Sequence, residues 1–223
     1  MTEIHVIRKE NRHLYEHLFD LYHRLRYDIY VRQRRWMALD RPDGREIDQF
    51  DTDDAVYLLA LEGTRIVGGM RAIPTTCPTL LSEIFPQLNL RSPIHRPDVY
   101  ELSRILVVPE RRGEQAGPGL ATMLQAAIIE YGLSVGLTGF TIVLETWWLP
   151  RFEEQGWRAK PLGLPMDIDG MSTVAVYVSC DEETWDDMVQ RKGIAGPMLH
   201  WLNLSSVPRV DISLSCRPTL QVF

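Results

Sequence analysis

The spacing of apolar and polar residues along the chain predicts a domain that mixes helices with strands. Apolar side chains recur every three or four positions across residues 18–29, which indicates one buried helix face, with Asn11 as the predicted N-cap. Two apolar runs follow at residues 56–62 and 65–74. The Gly-Thr pair between them favours a hairpin.

The rest of the chain alternates strand-like and helix-like runs. A strand predicted for residues 99–109 leads into a glycine-rich loop, and residues 119–136 have the length and period of a helix. The remaining predictions are strands at 5–8, 140–145 and 172–180, a helical turn around 80–85, and helices at 147–157 and 181–193, the last capped by Asp181. This order predicts an α/β fold for residues 1–223: an α+β three-layer sandwich, in which helices flank a mixed central sheet.

Composition places the chain among ordinary globular proteins, with 45% hydrophobic and 24% charged residues. The formal net charge of -6 argues against a nucleic-acid-binding protein. No apolar run approaches the roughly 18 residues that span a bilayer, and the charged N-terminus does not resemble a signal peptide. We therefore expect a single cytoplasmic domain, with neither nucleic acid nor membrane as partner, as a monomer or a dimer.

Two short patterns resemble metal sites, and we reject both. His13 and His17 spell H-x-x-E-H, but the chain offers no obvious third ligand, so both imidazoles are expected on an exposed helix face. The acidic stretch of residues 46–54 lacks the glycine that the turn of an EF-hand calcium loop needs. The three cysteines form no C-x-x-C pair. We expect no metal and no resident cofactor.

Charged residues within apolar segments are the clearest sign of a functional site. Glu46, Asp48 and Asp51 flank apolar residues, so some of these carboxylates are expected to face inward. Inward carboxylates need cationic partners or hydrogen bonds. Arg26 and Arg71 are the candidate partners, and Arg71 lies within an otherwise apolar strand.

The strand around Glu101 raises the same question. Alternation places Glu101 and Ser103 on one face of the strand, and Leu102 and Arg104 on the other. A carboxylate in so apolar a strand has either a structural partner or a catalytic role, and spacing alone does not decide between them. The glycine-rich loop of residues 111–119 precedes a helix, an arrangement that can hold a pyrophosphate through backbone N–H groups.

Taken together, these residues resemble the signature of the N-acyl-homoserine lactone synthases, the autoinducer synthases of bacterial quorum sensing. The matching positions are Arg26, Tyr30, Trp36, Glu46, Asp48, Phe50, Asp51, Arg71, Glu101, Ser103 and Arg104. They define a signature region at 26–104, followed by an acyl-donor half at 105–180 and a C-terminal helix and tail at 181–223. Two departures are Tyr30, where phenylalanine is usual, and Ala38, where a larger aliphatic residue is common.

The resemblance implies a fold of the GNAT acyltransferase type and two substrates, S-adenosylmethionine and an acyl thioester. The α-amine of the methionyl part would attack the thioester, and its carboxylate would then displace methylthioadenosine to close the lactone. The residues implied to bind adenosylmethionine are Arg26, Tyr30, Trp36, Asp48, Arg71, Ser103 and Arg104. Glu46, Asp51 and Arg71 are implied to form a structural charge cluster.

Catalytic roles can be assigned from the chemistry of this attack. The amine must lose a proton, and a carboxylate acting directly or through water is a sufficient base. Glu101 is the first candidate and Asp48 the competitor. The oxyanion of the tetrahedral intermediate needs donors, which backbone N–H groups beside Arg104 and Ile105 would supply.

The resemblance also implies an acyl-donor site, with Ile105, Leu106, Arg112, Gly113, Thr141, Trp147 and Trp148 as the residues expected to line it. Two adjacent indoles favour a flat or short acyl group, although plain core packing is the competing interpretation for them. The chain also resembles most the subgroup that makes aryl or branched products from coenzyme A (CoA) thioesters. We therefore expect cinnamoyl- or 4-coumaroyl-CoA as donor, and isovaleryl-CoA next. The alternatives are a fatty acyl-carrier protein donor, or an N-acetyltransferase acting on another amine.

Overall fold

The computed structural model describes residues 2–113, 118–194 and 197–202, in which nine strands form one sheet. The strands are β1 Glu3–Ile7, β2 Val56–Glu62, β3 Arg65–Pro74, β4 Val99–Val107, β5 Gly139–Glu145, β6 Ala159–Pro161, β7 Met166–Ile168, β8 Met171–Ser179 and β9 Leu199–His200. The helices are α1 Glu16–Tyr27, α2 Leu80–Glu83, α3 Leu120–Val135, α4 Leu149–Glu154 and α5 Glu182–Lys192. The sheet order is β6-β8-β5-β4-β3-β2-β1-β9, with β7 paired to β8.

The sheet separates two apolar cores because side chains alternate along its strands. On β2, Leu58 and Ala60 pack into the larger core, beneath α3 and α5. Tyr57 and Leu59 point to the opposite face, where they pack with Tyr22 of α1. The predicted sandwich, with a mixed sheet between helices, is therefore confirmed.

The middle of the sheet opens into a gap between β4 and β5. These two strands pair in parallel from Val99 opposite Gly139 to Leu102 opposite Ile142, and no pairing joins them further along within the described residues. Strand β5 nevertheless continues against β8 as far as Glu145. We call the space beyond the last β4–β5 pair the β4–β5 gap.

A bulge in β4 lies at the edge of this gap. The β3–β4 register shifts between Gly69 and Arg71, so that two residues of β4 oppose one residue of β3. Arg104 lies in the bulge with a backbone φ of 53°, which is uncommon for a residue with a side chain. Strand β4 therefore changes direction where the sequence predicted oxyanion donors.

Several elements differ from the sequence predictions. Asn11 does not cap a helix with its side chain, which accepts a bond from Arg8 N and donates to Val6 O instead. Leu21, placed by its spacing on the buried helix face, is 51% exposed. The short strands β6, β7 and β9 were not predicted, because two or three residues carry too little pattern. Asp181 does cap α5, accepting a bond from Thr184 N at 2.8 Å.

Further predictions were tested in the described part of the chain. The predicted hairpin between β2 and β3 and the turn at α2 are confirmed. His13 and His17 are exposed, as expected of a solvated helix face. None of the described helices is long and apolar enough to cross a membrane. Most of the tail after Pro197 lies outside the described residues.

Helix α1 continues into a wider π-helical turn, Asp28–Gln33, and the residue after its cap Arg34 has a left-handed backbone. Trp36 N donates to Tyr30 O at 2.9 Å, which closes the last turn around Arg35. Arg35 has a φ of 61°, a conformation that this type of helix end usually gives to glycine. The strained residue therefore directly precedes Trp36, and its backbone conformation sets the direction in which the Trp36 side chain leaves the chain.

Arg35→Gly should stabilise the protein by about 0.5–1 kcal/mol. Relief of the left-handed penalty outweighs the added freedom of the unfolded chain. Arg32→Gly, at an exposed position within the same π-helical turn, should instead destabilise it by about 1 kcal/mol. Urea unfolding of both variants measures the difference. Equal losses in both would show that the conformation of Arg35 carries no strain.

Candidate active site

Three arginines and three carboxylates form a closed ring of ion pairs between α1, the acidic loop and strands β3 and β4. Arg26 donates to Glu46 at 2.6 Å and, through both terminal nitrogens, to Asp51 at 2.7 and 2.9 Å. Arg71 binds Asp48 at 2.6 and 3.0 Å and lies 2.8 Å from Asp51.

Arg104 completes the ring. It donates to Glu46 through two nitrogens at 2.9 Å each, and to Asp48 at 2.7 Å. Within about 3 Å, each carboxylate of the ring thus contacts two arginines and each arginine two carboxylates; Arg26 also lies 4.0 Å from Asp48. The formal charges sum to zero. We call these six residues the charge ring.

The charge ring is almost wholly buried, which decides its electrostatics. Burial alone would raise the pKa of Glu46, but hydrogen bonding from Arg104 and the charges of Arg26 and Arg104 hold it at about 2. Burial opposes ionisation of Asp51 too, yet Arg26 and Arg71 hold the pKa of Asp51 well below its ordinary value. Both carboxylates are therefore ionised at neutral pH.

The acidic loop is folded to bring its carboxylates inward. Glu46 N donates to His23 O of α1 at 3.0 Å, and the Asp48 carboxylate accepts from Phe50 N at 2.9 Å. Tyr57 of β2 adds a hydroxyl bond to Asp51 at 2.8 Å. The inward carboxylates and their arginine partners were predicted from the sequence. Tyr57 was not, because nothing distinguishes it from the other residues of its apolar strand.

A layered wall of Arg104, Tyr30 and Trp36 extends from the charge ring toward solvent. The Arg104 guanidinium lies 5.5 Å from the centre of the Tyr30 ring, which stacks on Trp36 at 5.0 Å and 15°. The Tyr30 hydroxyl donates to Ile105 O in the β4 bulge at 3.0 Å. Trp36 is 39% exposed, so the aromatic wall is accessible at its outer end.

Glu101 is buried on β4 and binds the start of α2. Its two oxygens accept bonds from Leu80 N and Leu81 N, each at 2.8 Å. Burial raises the pKa of Glu101, although the Leu81 amide, the Thr79 hydroxyl and the Leu80 amide act in the opposite direction. Its partners thus all lie in the turn that begins α2, which no sequence spacing pointed to.

The predicted acyl-donor residues divide between two environments. Thr141, beside Glu101 in the β4–β5 pairing, is buried, and its hydroxyl has no partner among the described residues. Trp147 is 43% exposed and stacks on Trp148 at 4.5 Å. Trp148 also packs against Phe152 and the larger core, so the core-packing interpretation describes it better than it describes Trp147.

The other predicted donor residues lie along β4 and after it. Ile105 is half-buried in the bulge, whereas Leu106 is buried in the core under α1. Arg112 and Gly113 are exposed, and Arg112 Nε donates to Val107 O at 2.8 Å. Residues 114–117, part of the predicted glycine-rich loop, lie outside the described residues.

The structure brings the predicted adenosylmethionine residues together on one face of the sheet. Arg71 Nε donates to Ser103 at 3.1 Å, which ties the last of them to the charge ring. Arg26 and Arg71 are completely buried, and both hold carboxylates of the acidic loop. Sequence reasoning missed Arg34 and Glu145, which lie 3.4 Å apart. An acid that ends the otherwise apolar β5 was the signal available for Glu145.

Comparisons with known proteins agree with this geometry. The family model described as autoinducer synthase matches residues 10–188. The isovaleryl-homoserine lactone synthase of Bradyrhizobium diazoefficiens is 45% identical over 192 residues, which cover 86% of each chain. A solved CoA-dependent acyl-homoserine lactone synthase, in a complex with adenosylmethionine and isopentyl-CoA, has a TM-score of 0.85 and 43% identity over 93% of this chain and 97% of its own.

A more distant structure extends the likeness of fold. An acyl-CoA N-acyltransferase from Pseudomonas aeruginosa is 14% identical, with a TM-score of 0.55 over 79% of this chain and 99% of its own. So low an identity shows the fold alone. The fold prediction of a GNAT-like acyltransferase is confirmed.

Proposed function

Because the chain belongs to the autoinducer synthase family and is an acyl-homoserine-lactone synthase, we propose that it acylates S-adenosylmethionine from a CoA thioester. The main structural support for this proposal is the charge ring, which holds an aromatic wall beside the β4–β5 gap. The wall suits a sulfonium cation, and the gap gives an acyl chain a route between two strands.

The proposed reaction has two bond exchanges. The α-amine of adenosylmethionine attacks the thioester carbonyl, forms the amide and releases CoA as a thiol. The methionyl carboxylate then attacks the γ-carbon, and the carbon–sulfur bond breaks with its electron pair leaving on sulfur. Neutral methylthioadenosine and an N-acyl-homoserine lactone are the products.

Glu101 is our proposed base for the amine, acting directly or through water. Its raised pKa makes it a better proton acceptor than an ordinary carboxylate, and each of its oxygens keeps acceptor capacity beyond its peptide bond. Asp48, the competing candidate, already accepts bonds from Arg71, Arg104 and Phe50 N. These donors already occupy the oxygens of Asp48, so Glu101 is our preferred candidate.

The β4 bulge is our proposed oxyanion site. The left-handed backbone at Arg104 turns the peptide groups of Arg104 and Ile105 out of the regular ladder, at the place where pairing with β5 has ended. Backbone N–H groups fixed in a bulge need no rearrangement as charge develops on the carbonyl oxygen. The hydrogen bond from Tyr30 to Ile105 O holds this bulge against the aromatic wall.

For the acyl donor we rank isovaleryl-CoA first, ahead of the aryl donors that the sequence alone favoured. The relative that is 45% identical is an isovaleryl-homoserine lactone synthase, which supports a short branched chain. Cinnamoyl- or 4-coumaroyl-CoA is the second candidate, because the exposed face of Trp147 offers a flat group a stacking surface. We place the inner end of this acyl route at the buried Thr141 hydroxyl, which has no partner in the described part of the chain.

Incubation with adenosylmethionine and a panel of donors tests this proposal. With isovaleryl-CoA as donor, the reaction should yield methylthioadenosine and N-isovaleryl-homoserine lactone. The kcat/KM for this donor should be at least about tenfold above that for octanoyl-carrier protein. Cinnamoyl-CoA and 4-coumaroyl-CoA complete the panel. Acetyl-CoA with other amines serves as the control for a simple N-acetyltransferase.

The outcomes separate the parts of the proposal. Absence of methylthioadenosine with every donor would refute the synthase reaction. A preference for octanoyl-carrier protein would overturn the CoA assignment while leaving the reaction intact. A preference for cinnamoyl-CoA would restore the aryl ranking and place the stacking surface of Trp147 first.

A further inference from the structure

One carboxylate connects the two walls of the proposed substrate site. Glu145 Oε1 lies 3.4 Å from Arg34 Nη1, and Glu145 Oε2 accepts a hydrogen bond from the indole N–H of Trp147. The Arg34 guanidinium also lies 5.6 Å from the centre of the Trp36 ring. Arg34 therefore contacts the aromatic wall, whereas Trp147 is one of the predicted acyl-donor residues.

This contact spans the β4–β5 gap. The segment that carries Arg34 is anchored to β4 by the hydrogen bond from Tyr30 to Ile105 O. Glu145 is the last residue of β5, held in place by its pairing with Thr173 of β8. The ion pair thus joins a segment seated on one strand of the gap to the end of the other strand.

The same carboxylate restricts the orientation of Trp147. One face of its indole stacks on Trp148, and the Arg151 guanidinium lies 4.8 Å from its ring centre. Stacking alone would allow the ring to slide or turn over on Trp148. A hydrogen bond at the indole nitrogen removes that freedom, since it fixes one edge of the ring toward Glu145.

We propose that Glu145 is a positioning residue that sets acyl-donor selectivity, by holding Trp147 in one orientation and tying it to the aromatic wall through Arg34. The inference rests on the proposed function, because it concerns the same gap. The Glu145 side chain is 16% exposed and that of Arg34 36% exposed. Because the Arg34 end is partly exposed and the two charged atoms are 3.4 Å apart, the pair contributes little to folding stability, so its loss should change selectivity without unfolding the protein.

The test compares kcat/KM for isovaleryl-CoA and for octanoyl-CoA in matched variants. Glu145→Ala should lower the ratio of the two values about tenfold, and so should Trp147→Phe, which keeps a ring but loses the indole N–H. Glu145→Gln keeps an acceptor for the indole but loses the charge that Arg34 pairs with. It should lower the ratio by only about threefold, as should Arg34→Met.

A double variant and a surface control complete the design. Arg34→Met combined with Glu145→Gln should be no worse than either change alone, because both remove the same contact. Arg32→Met, two residues away and exposed, should keep the wild-type ratio and thermal midpoint. A wild-type ratio in Glu145→Ala would overturn the inference. Absence of product from the wild-type enzyme with both donors would instead refute the proposed isovaleryl-CoA donor.

Discussion

Arg26→Met should lower the free energy of unfolding by about 3–5 kcal/mol, because it leaves the buried charge ring with one more carboxylate than arginines. Of its two arginine partners, Glu46 would keep only Arg104, and Asp51 would keep only Arg71. Methionine fills most of the arginine's space, so the loss is electrostatic rather than a packing cavity. Urea unfolding at neutral pH measures it.

The pH dependence of this loss identifies its origin. The pKa of Glu46 in the folded protein is about 2, against 4.5 for an unperturbed glutamate. A lowered folded-state pKa stabilises the protein above the unfolded value, and that stability disappears as pH falls through the folded value. The difference in unfolding free energy between wild type and Arg26→Met should therefore be largest above pH 4.5 and should decrease as the pH falls toward 2.

An exposed arginine of the same helix provides the control. Arg24 pairs with Asp20 at 2.8 Å, and both side chains are about half exposed. Arg24→Met should change stability by less than about 1 kcal/mol. A similar small loss in Arg26→Met would mean that water reaches the ring carboxylates and that the ring does not support the fold.

The charge ring shows how far sequence reasoning reaches. Because acids alternate with apolar residues in the acidic loop, some of its carboxylates were predicted to face inward. An arginine within an apolar strand was predicted to pair with a carboxylate. Both inferences use only the cost of burying a charge, so they hold without knowledge of the tertiary structure. The closed alternation of the ring needs the relative positions of α1, the acidic loop and β4, which no local pattern contains.

Glu101 shows where that reasoning ends. The cost of burying a charge predicted a partner for Glu101. The observed partners include the backbone amides of Leu80 and Leu81, and a backbone amide leaves no signal in a sequence because nearly every residue has one. The bulge at Arg104 is similar, because its left-handed backbone occurs at a residue type that does not favour it. Long elements such as α3 and the β2–β3 hairpin were predictable because their periods extend over many residues.

These two features meet at β4, which links the fold to the chemistry. Arg104 closes the charge ring with its side chain, while its backbone forms the bulge that borders the β4–β5 gap. Glu101 lies three residues earlier on the same strand and anchors α2 on the face where the ring lies. A single strand therefore carries the proposed base, the proposed oxyanion donors and the last arginine of the ring.

Glu101→Gln should lower kcat by about 10²–10⁴-fold while leaving the affinity for adenosylmethionine largely intact, since glutamine cannot take a proton from the amine. Burial raises the pKa of Glu101, so the acid limb of the wild-type kcat/KM profile should lie above the ordinary carboxyl value of 4.5. That limb should be absent in Glu101→Gln. Steady-state kinetics from acidic to neutral pH, together with calorimetric binding of adenosylmethionine, measure both effects.

Two neighbours of Glu101 separate a catalytic role from a purely structural cap of α2. Ser82→Ala removes a side chain of the capping box without removing the carboxylate, so it should cost stability but little activity. Thr79→Val removes a hydroxyl bond that lowers the pKa of Glu101, so it should move the acid limb to higher pH. If Glu101→Gln and Ser82→Ala instead reduced kcat equally, with unchanged pH profiles, Glu101 would be a helix cap alone and the base would have to lie elsewhere.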